Sequence, residues 1–193
     1  MKSFIYKAVA FAAIIACAAF FHPLAQGQIA GAPTDAQIAG IVQAACQVEI
    51  GYAQLAMTKS QNKEVRDHAQ QMITDHSALQ RSMTDLNGRL NLTPADSDTS
   101  SVLRAQSEDV TARLNALNGS AFDKAYIDVE VATHQAIIAT VSTVLVPNAQ
   151  NTELKNALQG ASPVMRGHLE RARSLQSMLD GGSTSMAVIQ TAM

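Results

Sequence analysis

The sequence predicts an all-α protein, an antiparallel four-helix bundle with an additional short helix in the crossover. Three observations carry that prediction. Hydrophobic residues make up 47% of the chain while aromatic residues make up only 4% and tryptophan is absent, a mixture that suits helices better than sheets. Apolar residues recur with alternating spacings of three and four over four long segments. Those segments group into two pairs with short turns, joined by one long connection.

The first 27 residues stand apart from the fold. Lys2 and Lys7 make a basic start, Ala8 to Phe21 is an unbroken apolar run, and Ala25-Gln26-Gly27 offers small residues for cleavage before Gln28. This is the pattern of a signal peptide, and the run is too short for a membrane span of about 20 residues. A lipoprotein signal ending at Cys17 is the alternative, since Ile14-Ile15-Ala16-Cys17 loosely fits a lipobox, but Ala18 to Phe21 carry the apolar run past the cysteine. The expected address is therefore periplasmic or secreted, with no transmembrane span in the mature chain. Removing two lysines and no acids moves the net charge from −2 to about −4, and no basic patch remains to attract nucleic acid. Cys46 is then the sole cysteine, so packing rather than a disulfide framework must hold the domain together.

A short Gly/Ala/Pro leader precedes Thr34-Asp35-Ala36-Gln37, a capping-box pattern that predicts a helix from there to about Lys59. Asn62 is placed to cap a second helix running to about Leu90. Residues 91 to 99 are polar, and a short helix is expected from about Pro94 or Ser100 to Leu117, closed by Asn118-Gly119. Ser120-Ala121-Phe122-Asp123 opens the third long helix, which Pro147 should end, and the fourth runs from about Thr152 to Leu179. Residues 28 to 180 thus form one domain, and 181 to 193, starting at Gly181-Gly182, read as a flexible tail. Two hairpins joined by a long crossover are the ferritin-like way of connecting such a bundle.

The helical stripes carry the candidate site. Val65, Ala69, Met72, His76, Leu79 and Met83 keep one stripe, as do Ile127, Val131, His134, Ile138 and Val141 on the third long helix and Leu158, Ala161, Met165, His168, Ala172 and Leu175 on the fourth. Each is apolar except at one histidine. Ile38, Val42, Ala45, Glu49 and Tyr52 form an equivalent stripe broken by a carboxylate. In each hairpin the two polar positions differ in depth by about four residues, or about 6 Å, which the N-terminal lean of helical side chains reduces. Glu49, His76, His134 and His168 are therefore expected to meet in one layer. A buried polar group without a partner costs a few kcal/mol, and one divalent ion, zinc, iron or manganese, would satisfy all four. The alternative is that each histidine bonds to a backbone carbonyl, a water or an acid such as Asp75, Asp128 or Glu130.

The remaining candidates read as structural. His68 lies off the main stripe beside Asp67 and is expected at the surface or boundary. Cys46, one turn before Glu49, could serve as a soft ligand but fits a small buried thiol better. The residues three before His76, His134 and His168 are Ile73, Val131 and Met165, so the Glu-x-x-His pairs of di-iron oxidases are missing and an enzymatic role gains no support.

Val48-Glu49-Ile50-Gly51, Leu55-Ala56, Glu64-Val65, Ala69-Gln70, Met72 and Asp75-His76 resemble the opening of a bacterial family of exported ferritin-like proteins. Phe122-Asp123-Lys124-Ala125-Tyr126, Asp128 and His134 resemble its middle, and Pro163 with His168-Leu169 its close. The family is domain of unknown function 4142, often labelled as outer membrane protein. The resemblance covers roughly residues 38 to 179. It implies a ferritin-like bundle and an extracytoplasmic address and supplies no activity. His68 departs from it, because the family more often has an aromatic there. No stretch alternates like a barrel strand, so the outer-membrane label finds no support in the residues.

Overall fold

The computed structural model describes residues 32–191, and side chains to residue 181. The expected signal segment lies outside the described residues. Six helices follow in order: α1 (Asp35–Lys59), α2 (Lys63–Arg89), α3 (Asp98–Asn115), α4 (Gly119–Thr140), α5 (Val146–Asn148) and α6 (Thr152–Thr191), with a π-helical turn, Val141–Leu145, between α4 and α5. No strand occurs among the described residues.

The caps explain most of the boundaries. Thr34 and Gln37 form the expected reciprocal capping box, and the Asn62 side chain accepts from the backbone N–H groups of Glu64 and Val65. α3 starts later than Pro94 and earlier than Ser100, because Ser97 and Ser100 cap it reciprocally. Asn151 accepts from the N–H groups of Glu153 and Leu154 and so sets the start of α6. The third long helix ends at Asn148, one residue past Pro147. The π turn precedes the proline, closed by the Val146 N–H on the Val141 carbonyl, and this wider turn accommodates a ring that would otherwise clash with the carbonyl four residues back. The end of the chain differs from expectation: α6 passes through Gly181-Gly182 to Thr191, where a loose tail was predicted. The two glycines lower helix propensity without forbidding the conformation.

α1 packs on α2 and α4 on α6. The two hairpins join through α2 against α6 and α1 against α4, and α3 lies along α1 and reaches α4. Two apolar clusters fill the ends of the interior, one around Tyr52, Met72, Phe122 and Leu175 and the other around Ile38, Met83, Leu145 and Leu158. The connection into α3 crosses α1 closely. Ala95 donates to the Ala36 carbonyl, and a Cβ on Gly40 would lie 2.0 Å from the Ala95 oxygen, so only glycine fits there. Asp35 accepts from the backbone N–H groups of Gln150 and Asn151 at 2.8 and 2.9 Å, tying the start of α1 to the second hairpin turn.

By length and composition the stretch Gly119–Asn148 is apolar enough to cross a membrane. Here it packs among the other helices and buries Asp123, Glu130 and His134 against them.

Candidate metal centre

The polar layer lies between the two apolar clusters, where the stripes place it. His76, His134 and His168 are 2%, 0% and 5% exposed, and each offers one nitrogen within 4.8 Å of the others. Their rings meet edge to face or tilted, with centroids 5.3 to 5.7 Å apart.

Hydrogen bonding fixes how two of these rings present themselves. His134 Nδ1 lies 3.0 Å from the Glu130 backbone carbonyl, which can only accept, so the N–H is on Nδ1 and the lone pair on Nε2. His168 Nε2 lies 2.8 Å from the Asp75 carboxylate. Burial pushes Asp75 up, but hydrogen bonds from Gln71 and His168 hold it below its ordinary value. It is ionised and accepts, so a neutral His168 has its lone pair on Nδ1 and a charged one has a second N–H there. That nitrogen faces His134 Nε2 at 3.3 Å. Two lone pairs at that distance repel unless a cation, a metal ion or the second proton of His168, lies between them. The edge of a tetrahedron with metal–nitrogen bonds of 2.0–2.1 Å is about 3.3 to 3.4 Å. His76, the third member, has both ring nitrogens buried and without a hydrogen-bond partner. Burial, then the neighbouring imidazoles, lower it from 6.5 to about 4, and burial lowers His134 as well. Both are neutral at pH 7, the form in which imidazole ligates metals.

Glu49 does not join the three histidines as expected. It is fully buried, but on the other side of His134, where it groups with Glu130 and with Nδ1 of His134 at 4.0 Å. The depth argument brought Glu49 to the right layer. It could not tell which side of the His134 ring the carboxylate would occupy. Burial, then the charge of Glu130, push Glu49 well above its ordinary value, which favours its neutral form. Burial pushes Glu130 up too, but a hydrogen bond from His68, then the electrostatic pull of His134 and His68, keep it below its ordinary value. The two carboxyls are thus shifted in opposite directions. This second cluster of Glu49, Glu130 and His134 is also close enough to hold a cation.

His68 is a correction. It is 2% exposed, and its Nε2 lies 3.2 Å from the Glu130 carboxylate. The signal was present in the spacing, since His68, Met72 and His76 are four residues apart on one face of α2. The buried face of α2 is wider than the single stripe, because α2 packs against both α1 and α6. Asp75 joins the site through His168. Asp128 does not, being engaged by Lys124 and Gln176. Cys46 is buried, and burial followed by Glu49 raises its thiol to about 12, so it is a neutral thiol in the metal-free protein.

Comparison with known proteins agrees with the helical architecture. A solved structure of a DUF305 protein from Streptomyces coelicolor, described as a secreted protein, superposes with a TM-score of 0.65 at 14% identity, covering 76% of this chain and 93% of that one. At that identity the likeness shows the fold alone. No curated protein matches the chain. The family described as Domain of unknown function (DUF4142) matches residues 22–175, which is most of the sequence, and the chain belongs to that family.

Proposed function

We propose that this chain is an exported, ferritin-like four-helix bundle that binds one divalent metal ion through His76, His134 and His168. The single observation that carries this reading is the pair of nitrogens, His134 Nε2 and His168 Nδ1, held 3.3 Å apart while the other nitrogen of each ring meets an acceptor. Asp75 and the Glu130 carbonyl act as the outer partners that orient ligating histidines and raise their basicity. Three neutral imidazoles and an open fourth position suit zinc best, and iron next. Manganese, which prefers oxygen ligands, fits least. Glu49 serves on this reading as a neighbour of His134 rather than as a ligand. Export is supported by the basic start, the apolar run and the small residues before Gln28, and by the description of the Streptomyces coelicolor protein as secreted.

A second reading has its own support. His68 Nε2 meets Glu130 and His168 Nε2 meets Asp75, pairings of the kind a buried hydrogen-bond network in a non-enzymatic envelope module would use. Titration of chelator-treated, untagged protein with zinc separates the two. The metal reading expects one ion per chain, lost in His134→Ala and kept in Glu49→Gln. Less than about 0.1 ion per chain after loading with zinc, iron and manganese favours the network instead.

A further inference from the structure

A cavity of about 470 Å³ runs beside the histidine layer, under α3 and between α1 and α4. The sequence gives its cause. Ala132, Ala136 and Thr140 recur every four residues on α4, and Ala157 and Ala161 do so on α6, so small side chains face the space that leucines would fill. Unfilled space in a core costs stability in proportion to its volume, and 470 Å³ is within the size range of small-molecule sites. On α1 the lining extends from Ile41 to Tyr52, about 17 Å along the helix axis. A volume of 470 Å³ over that length leaves a mean cross-section of about 28 Å², room for one hydrocarbon chain rather than a fused ring system. The wall is mostly aliphatic, with Thr99, Gln106, Thr133, Gln135 and Thr140 as uncharged polar members. Apart from Tyr52, its only ring is that of His76.

His76 is where the cavity meets the candidate centre. A ligating histidine hands its second ring nitrogen to an acceptor, commonly a carboxylate. His134 has the Glu130 carbonyl in that role and His168 has Asp75, whereas neither nitrogen of His76 has a protein partner. We infer that the cavity binds a single-chain fatty acid, with its hydrocarbon tail along the apolar wall and its carboxylate accepting from the free N–H of His76. The hydrogen bond to His76 does not need the ion. Coupling between the two ligands does, and that part rests on the metal reading above.

The test is isothermal titration of the full mature chain with dodecanoate and with dodecanol, each with and without zinc. Dodecanoate should bind one per chain, and at least tenfold more tightly than dodecanol. Zinc should tighten dodecanoate and dodecanoate should tighten zinc by the same factor. Ala136→Leu and, independently, Ala161→Leu fill the cavity and should weaken dodecanoate at least tenfold while leaving the zinc affinity of the lipid-free protein unchanged. Zinc binding with no dodecanoate binding at 1 mM overturns the inference and spares the metal centre. Equal affinity of the wild type and both filled variants for dodecanoate places the lipid elsewhere and also overturns it. Dodecanoate binding that the filled variants weaken, in a chain that takes no zinc, upholds the cavity and defeats the metal reading alone.

Discussion

Acidification of the metal-free protein should reveal the desolvated state of His76. The imidazole titrates near 6.5 when unfolded and near 4 in the fold, chiefly because it is buried and secondarily because His134 and His168 lie beside it. A lowered folded value means that the unfolded state takes up the proton first. The stabilisation is therefore complete above pH 6.5 and is lost as pH falls toward 4. At about 1.36 kcal/mol per unit the loss between pH 7 and pH 4.5 is about 2 to 3 kcal/mol. Glu49 works in the opposite sense. Its raised value favours the fold in acid, and that contribution is lost as pH rises through the folded value. The wild-type curve mixes the two, so the measurement is a subtraction: urea unfolding of wild type and His76→Leu, in chelator, at steps from pH 7 to pH 4.5. The difference between the two stability curves should shrink or reverse by about 2 to 3 kcal/mol across that range. Curves that stay parallel to within about 0.5 kcal/mol would refute the placement of His76 in a dry site that disfavours its protonated ring.

Two further outcomes follow from named contacts. Asp75→Asn removes the charge that holds the proton of His168 on Nε2, and outer-partner losses of this kind reduce metal affinity about 10- to 100-fold; a zinc competition assay with an unchanged dissociation constant would sever Asp75 from the centre. Gly40→Ala drives a methyl into the Ala95 carbonyl and should destabilise the fold by about 1 to 3 kcal/mol in urea unfolding, whereas Gly51→Ala, where nothing lies within 4 Å, should not destabilise it.

The helical fold was legible because its signals are local. The Thr34 capping box, the Asn62 cap and the three-four spacing of the stripes each depend on a few neighbouring residues. The depth of the histidine layer was legible too, since rise per residue and side-chain lean are properties of any α-helix. What lay beyond the sequence was the rotation of each helix about its axis. A small rotation decides whether Glu49 lies beside His168 or beyond His134, and whether His68 faces water or Glu130. The cavity was hidden for a related reason. Alanines at 132, 136, 157 and 161 read as close-packing residues until the distance between the helices that carry them is known.

The start of α1 has a bearing on when this fold can form. Asp35 and Ala36 are among the first residues of the folded domain to be made, yet the partners of Asp35 are Gln150 and Asn151 and that of Ala36 is Ala95. The Ala36 contact can close once about 59 further residues are present, whereas the Asp35 contacts wait for more than a hundred. Contacts of such long sequence separation form late, so the tie between the start of α1 and the second hairpin turn closes only after the helices between them exist.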